Sequence, residues 1–235
     1  MNLFKNSLPP NELLAENSLG KNNLSIGITW PRNPDNPFLS MEALNLEAKN
    51  CQKCNLCQTR NNVVVYDGNP KAKLMIIGEG PGEQEDLKGL PFVGKAGILL
   101  DKMLDAGQIS RKEETYIANI VKCRPPSNRV PKPIEVEQCW PYLQSQIYLV
   151  KPKILLLLGA TSVAGVLKIK NPKITKLHGE WIDGQGELLE GTLIMPFYHP
   201  SYLLRNQRKE VGSPKWQACE SIKKVREKLN EILRS

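Results

Sequence analysis

The sequence predicts an α/β fold in which a parallel β-sheet is covered by helices on both faces. Short apolar runs at residues 73–77, 115–120, 153–159 and 192–196 have the length and composition of buried strands. Helical segments lie between these runs, and strands that alternate with helices form parallel sheets. Ligands of such sheets bind outside the carboxyl ends of the strands. We therefore expect the segments that follow the first, second and fourth runs to meet in one site.

The predicted helices rest on apolar periodicity or on residues that suit a helix terminus. Ser40 can cap a helix that ends near residue 49 and has one apolar side. Pro133 suits the first turn of a helix that ends near residue 150, because proline lacks the N–H that this turn leaves unpaired. The remaining helices are predicted at residues 94–106, 160–167 and 214–233.

The first 40 residues differ in composition from the rest of the chain. They are rich in Asn, Ser and Pro, and prolines at positions 31, 34 and 37 cannot sustain a helix. We predict that residues 1–40 form a mostly disordered extension, with one small docking segment at residues 26–30. Residues 41–235 are expected to form the folded domain.

The charge of the chain is unevenly distributed. The formal net charge is +8, yet residues 1–50 carry −1 and the remainder carries +9. A basic folded part indicates a surface that faces a polyanion such as nucleic acid, although a merely basic surface is the alternative. No apolar run spans a membrane and the N-terminus has no secretory signal, so we expect a cytoplasmic protein with no membrane partner.

The cysteines predict a metal centre. Cys51 and Cys54 are spaced C-x2-C, whereas Cys123 and Cys139 are separated by 15 residues. In a cytoplasmic chain such spacing indicates metal ligands rather than disulfides. Four thiolates can hold either a zinc ion or a [4Fe–4S] cluster, and the spacing does not decide between them. Cys57 could compete as a ligand, and unconnected buried thiols are the alternative.

The first predicted strand leads into a glycine-rich loop at residues 78–86. The loop lacks the lysine of a phosphate-binding loop, and its four acidic residues would repel phosphate. A neutral ligand fits better, and a tight turn with a solvated acidic face is the alternative. His199 follows the fourth strand at the expected ligand edge, so it is the candidate catalytic histidine. We assign no role to His178, the other histidine.

Five ordered motifs resemble those of the family-four (type-4) iron–sulfur uracil-DNA glycosylases. The resemblance covers about residues 45–230. The motifs are Cys51-x2-Cys54, Gly78-Glu79-Gly80-Pro81-Gly82-x2-Glu85-Asp86, Pro91-Phe92-Val93-Gly94-Lys95-Ala96-Gly97, Asn119-x3-Cys123-Arg124-Pro125-Pro126 and His199-Pro200-Ser201-Tyr202-Leu203-Leu204-Arg205.

The resemblance implies a three-layer α/β/α domain with a central four-stranded parallel sheet. It also implies a [4Fe–4S] cluster held by Cys51, Cys54, Cys123 and Cys139. The activity it implies is that of a monofunctional DNA glycosylase, which hydrolyses the N-glycosidic bond of deoxyuridine. Uracil is released and an abasic site is left for base-excision repair. The expected partners are uracil-containing DNA, single- or double-stranded, and free uracil as product, and we expect a monomer.

The resemblance further assigns roles within a uracil pocket. Glu79, Gly80 and Pro81 should line it, Phe92 should stack on the base, and Asn119 should read the base edge. The Asn119 amide can accept from N3–H and donate to O4, whereas cytosine presents the opposite pattern. His199 should donate to O2, where negative charge develops as the bond breaks.

Some positions depart from related families or leave a role open. Glu79 argues against the family-five enzymes, which usually lack an acidic residue there. Gly80 stands where family-one enzymes have a water-positioning aspartate, so Glu79 and Glu85 become the candidates for that task. Charge stabilisation without a water-positioning residue is the alternative. Glu85 could also exclude the thymine methyl group. Leu203 could fill the vacated base stack, with ordinary packing as the alternative.

Basic residues near these motifs are candidate DNA contacts. Arg205, Lys95 and Arg124 could bind phosphates, with solvated surface charge as the alternative. Two other classes of protein share part of the pattern. A non-catalytic nucleic-acid-binding protein with a structural metal would not need Asn119 or His199. An electron-transfer protein would need the cluster but no polar pocket.

Overall fold

A computed structural model describes residues 38–234 and places a six-stranded sheet at the centre of this part of the chain. The strands are β1 (Asp67–Gly68), β2 (Leu74–Gly78), β3 (Thr115–Asn119), β4 (Ile154–Leu158), β5 (Ile182–Asp183) and β6 (Leu193–Phe197). Their order in the sheet is β1-β3-β2-β4-β6-β5.

The sheet is mixed, which corrects the expected purely parallel sheet of four strands. The four predicted strands are neighbours in the order β3-β2-β4-β6, and each pairs in parallel. β1 and β5 add antiparallel edges of two residues each. Two residues are too few to show the alternation or apolar run by which a strand is recognised in sequence.

Nine α-helices accompany the strands within residues 38–234. The predicted helices are confirmed to within about one residue at nearly every end. The helices are α1 (Met41–Lys49), α2 (Glu83–Lys88), α3 (Lys95–Ala106), α4 (Arg111–Glu114), α5 (Pro133–Val150), α6 (Ala160–Leu167), α7 (Ile174–Leu177), α8 (Pro200–Arg205) and α9 (Pro214–Arg234). The short helices α2, α4, α7 and α8 were not predicted.

Two apolar cores lie on opposite faces of the sheet. Successive residues of β2 point to opposite sides, so Met75 and Ile77 belong to one core and Leu74 and Ile76 to the other. Helices α1, α5 and α6 cover the first core, whereas α3, α8 and α9 cover the second. The fold is therefore α/β with helices on both faces of the sheet.

The beginning of the described chain matches the local prediction closely. Ser40 caps α1, since its Oγ accepts the N–H of Ala43 at 3.3 Å. Phe38 is 3% exposed and stacks on Tyr142, so packing extends into residues that were assigned to the extension. The predicted docking segment at residues 26–30 lies outside the described residues. Within residues 38–234, no helix is long and apolar enough to cross a membrane.

The carboxyl ends of the parallel strands converge, as the sequence predicts. Gly78 at the end of β2 is in register with Asn119 at the end of β3. A Cβ atom on Gly78 would lie 2.5 Å from both Asn119 Oδ1 and Phe92 Cζ. Glycine at this position therefore lets the asparagine and the aromatic ring approach the strand end closely.

Candidate active site

A cavity of about 330 Å³ opens at this edge of the sheet. Its volume falls within the usual range for small-ligand pockets. All of the residues that the sequence predicts to bind uracil line this cavity, together with Glu85 and Lys95. The predicted uracil-binding residues are Glu79, Gly80, Pro81, Phe92, Asn119 and His199.

Asn119 presents an unusual buried acceptor. Its side chain is 1% exposed at the end of β3. Among the buried side-chain polar atoms of residues 38–234, its Oδ1 is the one without a hydrogen-bond partner. A buried acceptor without a donor costs free energy, so such an atom indicates a ligand that supplies the donor.

His199 is held as a neutral imidazole with a defined tautomer. The backbone N–H of Ser201 donates to Nδ1 at 3.2 Å, so Nδ1 is an acceptor and the ring proton lies on Nε2. The Ser201 hydroxyl oxygen is 2.8 Å from the same nitrogen. The pKa of His199 is lowered from 6.5 to about 4, chiefly by burial and also by Arg205, while Glu85 opposes the shift. The ring can therefore donate from Nε2 at neutral pH without carrying a charge.

Glu79 is anchored at the first turn of α6. Its Oε2 accepts the hydroxyl proton of Thr161 at 2.5 Å. The amino end of a helix favours a negative charge, so this position suits a carboxylate. Gly80 beside it leaves no room for a side chain, because a Cβ would lie 2.7 Å from Val121 Cγ2. An aspartate at position 80 would require Val121 to move.

Glu85 holds the backbone of the pocket wall. Its Oε1 accepts the N–H groups of Val93 and Gly94 at 2.8 and 2.7 Å. Its Oε2 accepts the N–H of Gly82 at 3.1 Å. The carboxylate lines the cavity, but three backbone donors already engage its two oxygens. The sequence suggested water positioning or thymine exclusion, and it carried no sign of these backbone contacts.

The predicted DNA contacts occupy different environments. Lys95 is exposed at the cavity, and Arg205 is exposed at the end of α8. Arg124 is partly buried, donates to Asn128 Oδ1 at 2.8 Å and lies 3.7 Å from Glu83. Arg205 and Arg124 are not among the residues that line the cavity.

The structure corrects the expectation for Leu203. The sequence placed this residue in a loop, where it could enter a base stack. It lies instead in α8, is 1% exposed and packs in the second core. The helical turn directs Leu203 inward, which is the packing alternative that the sequence left open.

Sequence reasoning missed part of the cavity wall. Asn128, Arg129 and Ser201 also line it. Arg129 is held by Glu135, with nitrogen–oxygen distances of 2.9 and 2.6 Å. This ion pair holds the pKa of Glu135 below its usual value. The polar and proline-rich run after Cys123 was the available signal, since such runs form loops at strand ends.

A second, narrower cavity collects the predicted cluster ligands. It is lined by Cys51, Cys54, Cys123 and Cys139, whereas Cys57 is not among its lining residues. Burial raises the pKa of Cys54 and Cys123, and raises that of Cys139 to about 12.

Two groups donate to these sulfur atoms. Arg60 donates to Cys123 Sγ at 3.2 Å, and the backbone N–H of Lys122 donates to Cys139 Sγ at 3.3 Å. Within residues 38–234, no group of three or more His, Cys, Asp or Glu side chains is arranged to hold a metal ion.

The fold and the cavity agree with the comparisons to known proteins. The family model of the uracil DNA glycosylase superfamily matches residues 65–230. The chain therefore belongs to the uracil DNA glycosylase superfamily. A type-4 uracil-DNA glycosylase of Thermotoga maritima is 44% identical over 171 residues, which are 73% of this chain and 86% of the relative. Within the superfamily, the chain belongs to the type-4 group, as the motif resemblance predicted.

Two further relatives, one of type 4 and one of type 5, support the assignment to the type-4 group. A type-4 uracil-DNA glycosylase of Sulfurisphaera tokodaii is 40% identical over 173 residues, covering 71% of this chain and 77% of the relative. A type-5 uracil-DNA glycosylase of Pyrobaculum aerophilum is 30% identical over 151 residues, covering 58% of this chain and 64% of the relative. The type-4 proteins are thus more similar to this chain than that type-5 protein, in agreement with the argument from Glu79.

Proposed function

We propose that this chain is a monofunctional uracil-DNA glycosylase. It hydrolyses the N-glycosidic bond of deoxyuridine in single- or double-stranded DNA, releases uracil and leaves an abasic site for base-excision repair. The observation that carries the proposal is the unpartnered Oδ1 of buried Asn119, in a cavity that also contains Phe92 and His199.

Recognition of uracil follows from the groups at the cavity wall. Asn119 Oδ1 accepts the N3–H of uracil, which supplies the donor that this atom lacks. Its amide nitrogen then faces O4, so cytosine would place an acceptor against Oδ1 and a donor against the amide N–H groups. Phe92 offers its ring as a stacking surface, and such stacking is worth about 1–3 kcal/mol per base.

Bond cleavage leaves negative charge on the uracil and positive charge on the sugar. The Nε2–H of neutral His199 donates to O2, where the negative charge develops. A neutral donor avoids the free-energy cost of burying a cation. Glu79 orients the attacking water and stabilises the cationic sugar, since Gly80 carries no side chain and backbone N–H groups already engage both oxygens of Glu85. Thr161 fixes one of the two carboxylate oxygens of Glu79.

The base must leave the DNA stack before it can enter this cavity. Extrusion costs a few kcal/mol, which contacts to the flanking backbone offset. Lys95 and Arg205 are exposed cations placed to bind phosphates, and Arg124 is a third candidate despite its contact with Glu83. Leu203 takes no part in our proposal because it is buried.

We infer that the cysteine cavity holds a [4Fe–4S] cluster rather than a zinc ion. Both groups use four cysteine thiolates, and the side chains of Cys51, Cys54, Cys123 and Cys139 line this one cavity. The motif resemblance to the iron–sulfur family favours the cluster. When bound, a cluster would cross-link the segment after α1 to the segment after β3 and to α5.

An excision assay with matched oligonucleotides tests the proposal. We expect release of uracil from DNA with a single deoxyuridine, placed opposite guanine, opposite adenine or in a single strand. Identical strands with deoxycytidine or thymidine at that position should stay intact. A protein that binds these strands but releases no uracil would be a non-catalytic binding protein. Equal excision of cytosine would contradict the role given to Asn119.

A further inference from the structure

Phe92 has a backbone conformation that aromatic residues rarely adopt. Its φ is 52°, in the left-handed region, although its side chain is bulky and only 6% exposed. Such a residue keeps its conformation only when surrounding contacts over-determine it, and residues of this kind concentrate at functional sites. The groups that fix the backbone around Phe92 are therefore of functional interest.

The chain after Phe92 is held by Glu85 and by close packing. Glu85 accepts the next two backbone N–H groups, as described above. The carbonyl of Phe92 lies against Gly97 in the first turn of α3. A Cβ on Gly97 would be 1.9 Å from that oxygen. This side of Phe92 cannot relax without moving α3.

The chain before Phe92 is held by Arg111, which lies outside the five sequence motifs. Its Nη2 donates to the carbonyl of Pro91 at 2.7 Å. Its Nε and Nη1 donate to Asp67 and Asp101 at 2.9 and 2.8 Å. Arg111 is partly buried with a side chain 20% exposed, and it is not among the residues that line the cavity. The planar guanidinium thus engages three fixed acceptors at once.

We propose that Arg111 is a positioning residue for uracil recognition and acts through Phe92. It fixes the carbonyl before Phe92 while Glu85 fixes the amides after it. The two charged side chains thereby hold the peptide units on both sides of the strained residue and keep its ring at the base-binding face. The inference rests on the proposed function, since it takes Phe92 as the surface on which uracil stacks.

Arg226 provides a matched control for Arg111 within the same chain. Its side chain is 18% exposed and pairs with Glu114 at 2.8 Å. It also donates to the carbonyls of Gly107 and Gln108, and Gln108 has a φ of 52°. Arg226 therefore pins another left-handed residue by the same kind of contacts but does not line the cavity. Replacing it should reproduce the general destabilisation without the effect on uracil.

The test is a double-mutant cycle between position 111 and Phe92. The inhibition constant of free uracil and the single-turnover excision rate are measured for wild type, R111Q, F92A, the double variant and R226Q. We expect F92A to weaken uracil binding about 10- to 100-fold. R111Q should weaken it about 3- to 30-fold in the wild type but by less than about twofold in the F92A background. R226Q should leave the inhibition constant within about twofold of wild type.

The outcomes separate this inference from the proposed function. If F92A leaves uracil binding and excision unchanged, the stacking role of Phe92 is wrong. If F92A weakens uracil binding while R111Q does not, only the positioning role is overturned. Equal effects of R111Q with and without Phe92, or an equal effect of R226Q, also overturn it. If circular dichroism shows that R111Q is unfolded, R111K decides, because lysine keeps the charge but offers one donor group in place of the fork. An inhibition constant of R111K equal to that of wild type would contradict the proposal.

Discussion

Removal of the His199 imidazole is the most direct perturbation of the proposed chemistry. The Ser201 N–H makes Nδ1 an acceptor, so the neutral ring has one donor, Nε2–H. The variant H199A deletes that donor from the place where negative charge develops on uracil O2. Loss of one such donor typically costs about 10²–10³ in rate, equivalent to about 2.7–4 kcal/mol of transition-state stabilisation. We expect single-turnover excision to fall by this factor.

The pH dependence tests the charge state of His199 separately. Its pKa is lowered from 6.5 to about 4, mainly by burial, so the ring stays neutral from pH 8 down to about pH 5. The excision rate of the wild type, plotted against pH, should therefore have no inflection near pH 6.5 that is missing from the same plot for H199A. An inflection of that kind would mean that the ring titrates at its ordinary pKa and acts as a cation.

Two measurements control for indirect effects of H199A. DNA affinity, measured by fluorescence anisotropy, should change little, because phosphate contacts supply most of it. The variant S201A removes the hydroxyl near Nδ1 but keeps the backbone donor, so excision should fall by less than about tenfold. Near-normal excision by H199A together with normal DNA binding would refute the assigned mechanism.

Four further predictions follow from the other groups. The rate of uracil excision should fall about 10- to 100-fold in N119D, because a carboxylate cannot donate to O4. The same variant should excise cytosine weakly at acidic pH, and analysis of the released base checks both outcomes. Protein purified without oxygen should be brown, with about four iron and four sulfide per chain. C57S should keep this cluster and C54S should lose it, whereas colourless protein with one zinc would contradict the assignment. Affinity for uracil-containing DNA should fall steeply with salt, and the log–log slope should shrink by about one in K95A. Burial lowers the pKa of His178 from 6.5 to about 4. As the pH falls, His178 therefore takes up a proton in the unfolded chain before it does so in the folded chain. Up to about 3 kcal/mol of the free energy of unfolding should be lost as the pH falls from about 6.5 to 4. Urea unfolding at pH 7.5 and pH 5 should show a smaller difference for H178Q than for wild type.

The amino-acid sequence predicts those parts of the fold that have long or repetitive patterns of apolar and polar residues. Apolar runs marked the four parallel strands, and the polar residues at their ends marked the pocket. Asn119 and His199 were therefore expected to meet although they are 80 positions apart, and the family resemblance supplied the role of Asn119. The edge strands and the short helices were missed because two to six residues do not complete a recognisable pattern.

Other features depend on tertiary contacts that a single sequence does not encode locally. The motif left Leu203 as either a wedge in the base stack or a packing residue, and the turn of α8 directs its side chain into the core. The contacts of Glu85 with Val93 and Gly94, and of Arg111 with Pro91, join segments eight to twenty residues apart through backbone atoms. Every non-proline residue has the same backbone donor and acceptor, so the type of residue does not predict such contacts.

The central claim is most directly tested by quantifying the base that the protein releases. Wild type and H199A are incubated, under identical conditions, with a single-stranded oligonucleotide that contains one deoxyuridine. Free uracil and abasic sites are then counted by mass spectrometry. We predict one uracil and one abasic site per strand for the wild type, at a rate about 10²–10³ times that of H199A. Bound but intact oligonucleotide, with no free uracil in either sample, would contradict the claim that this chain is a uracil-DNA glycosylase.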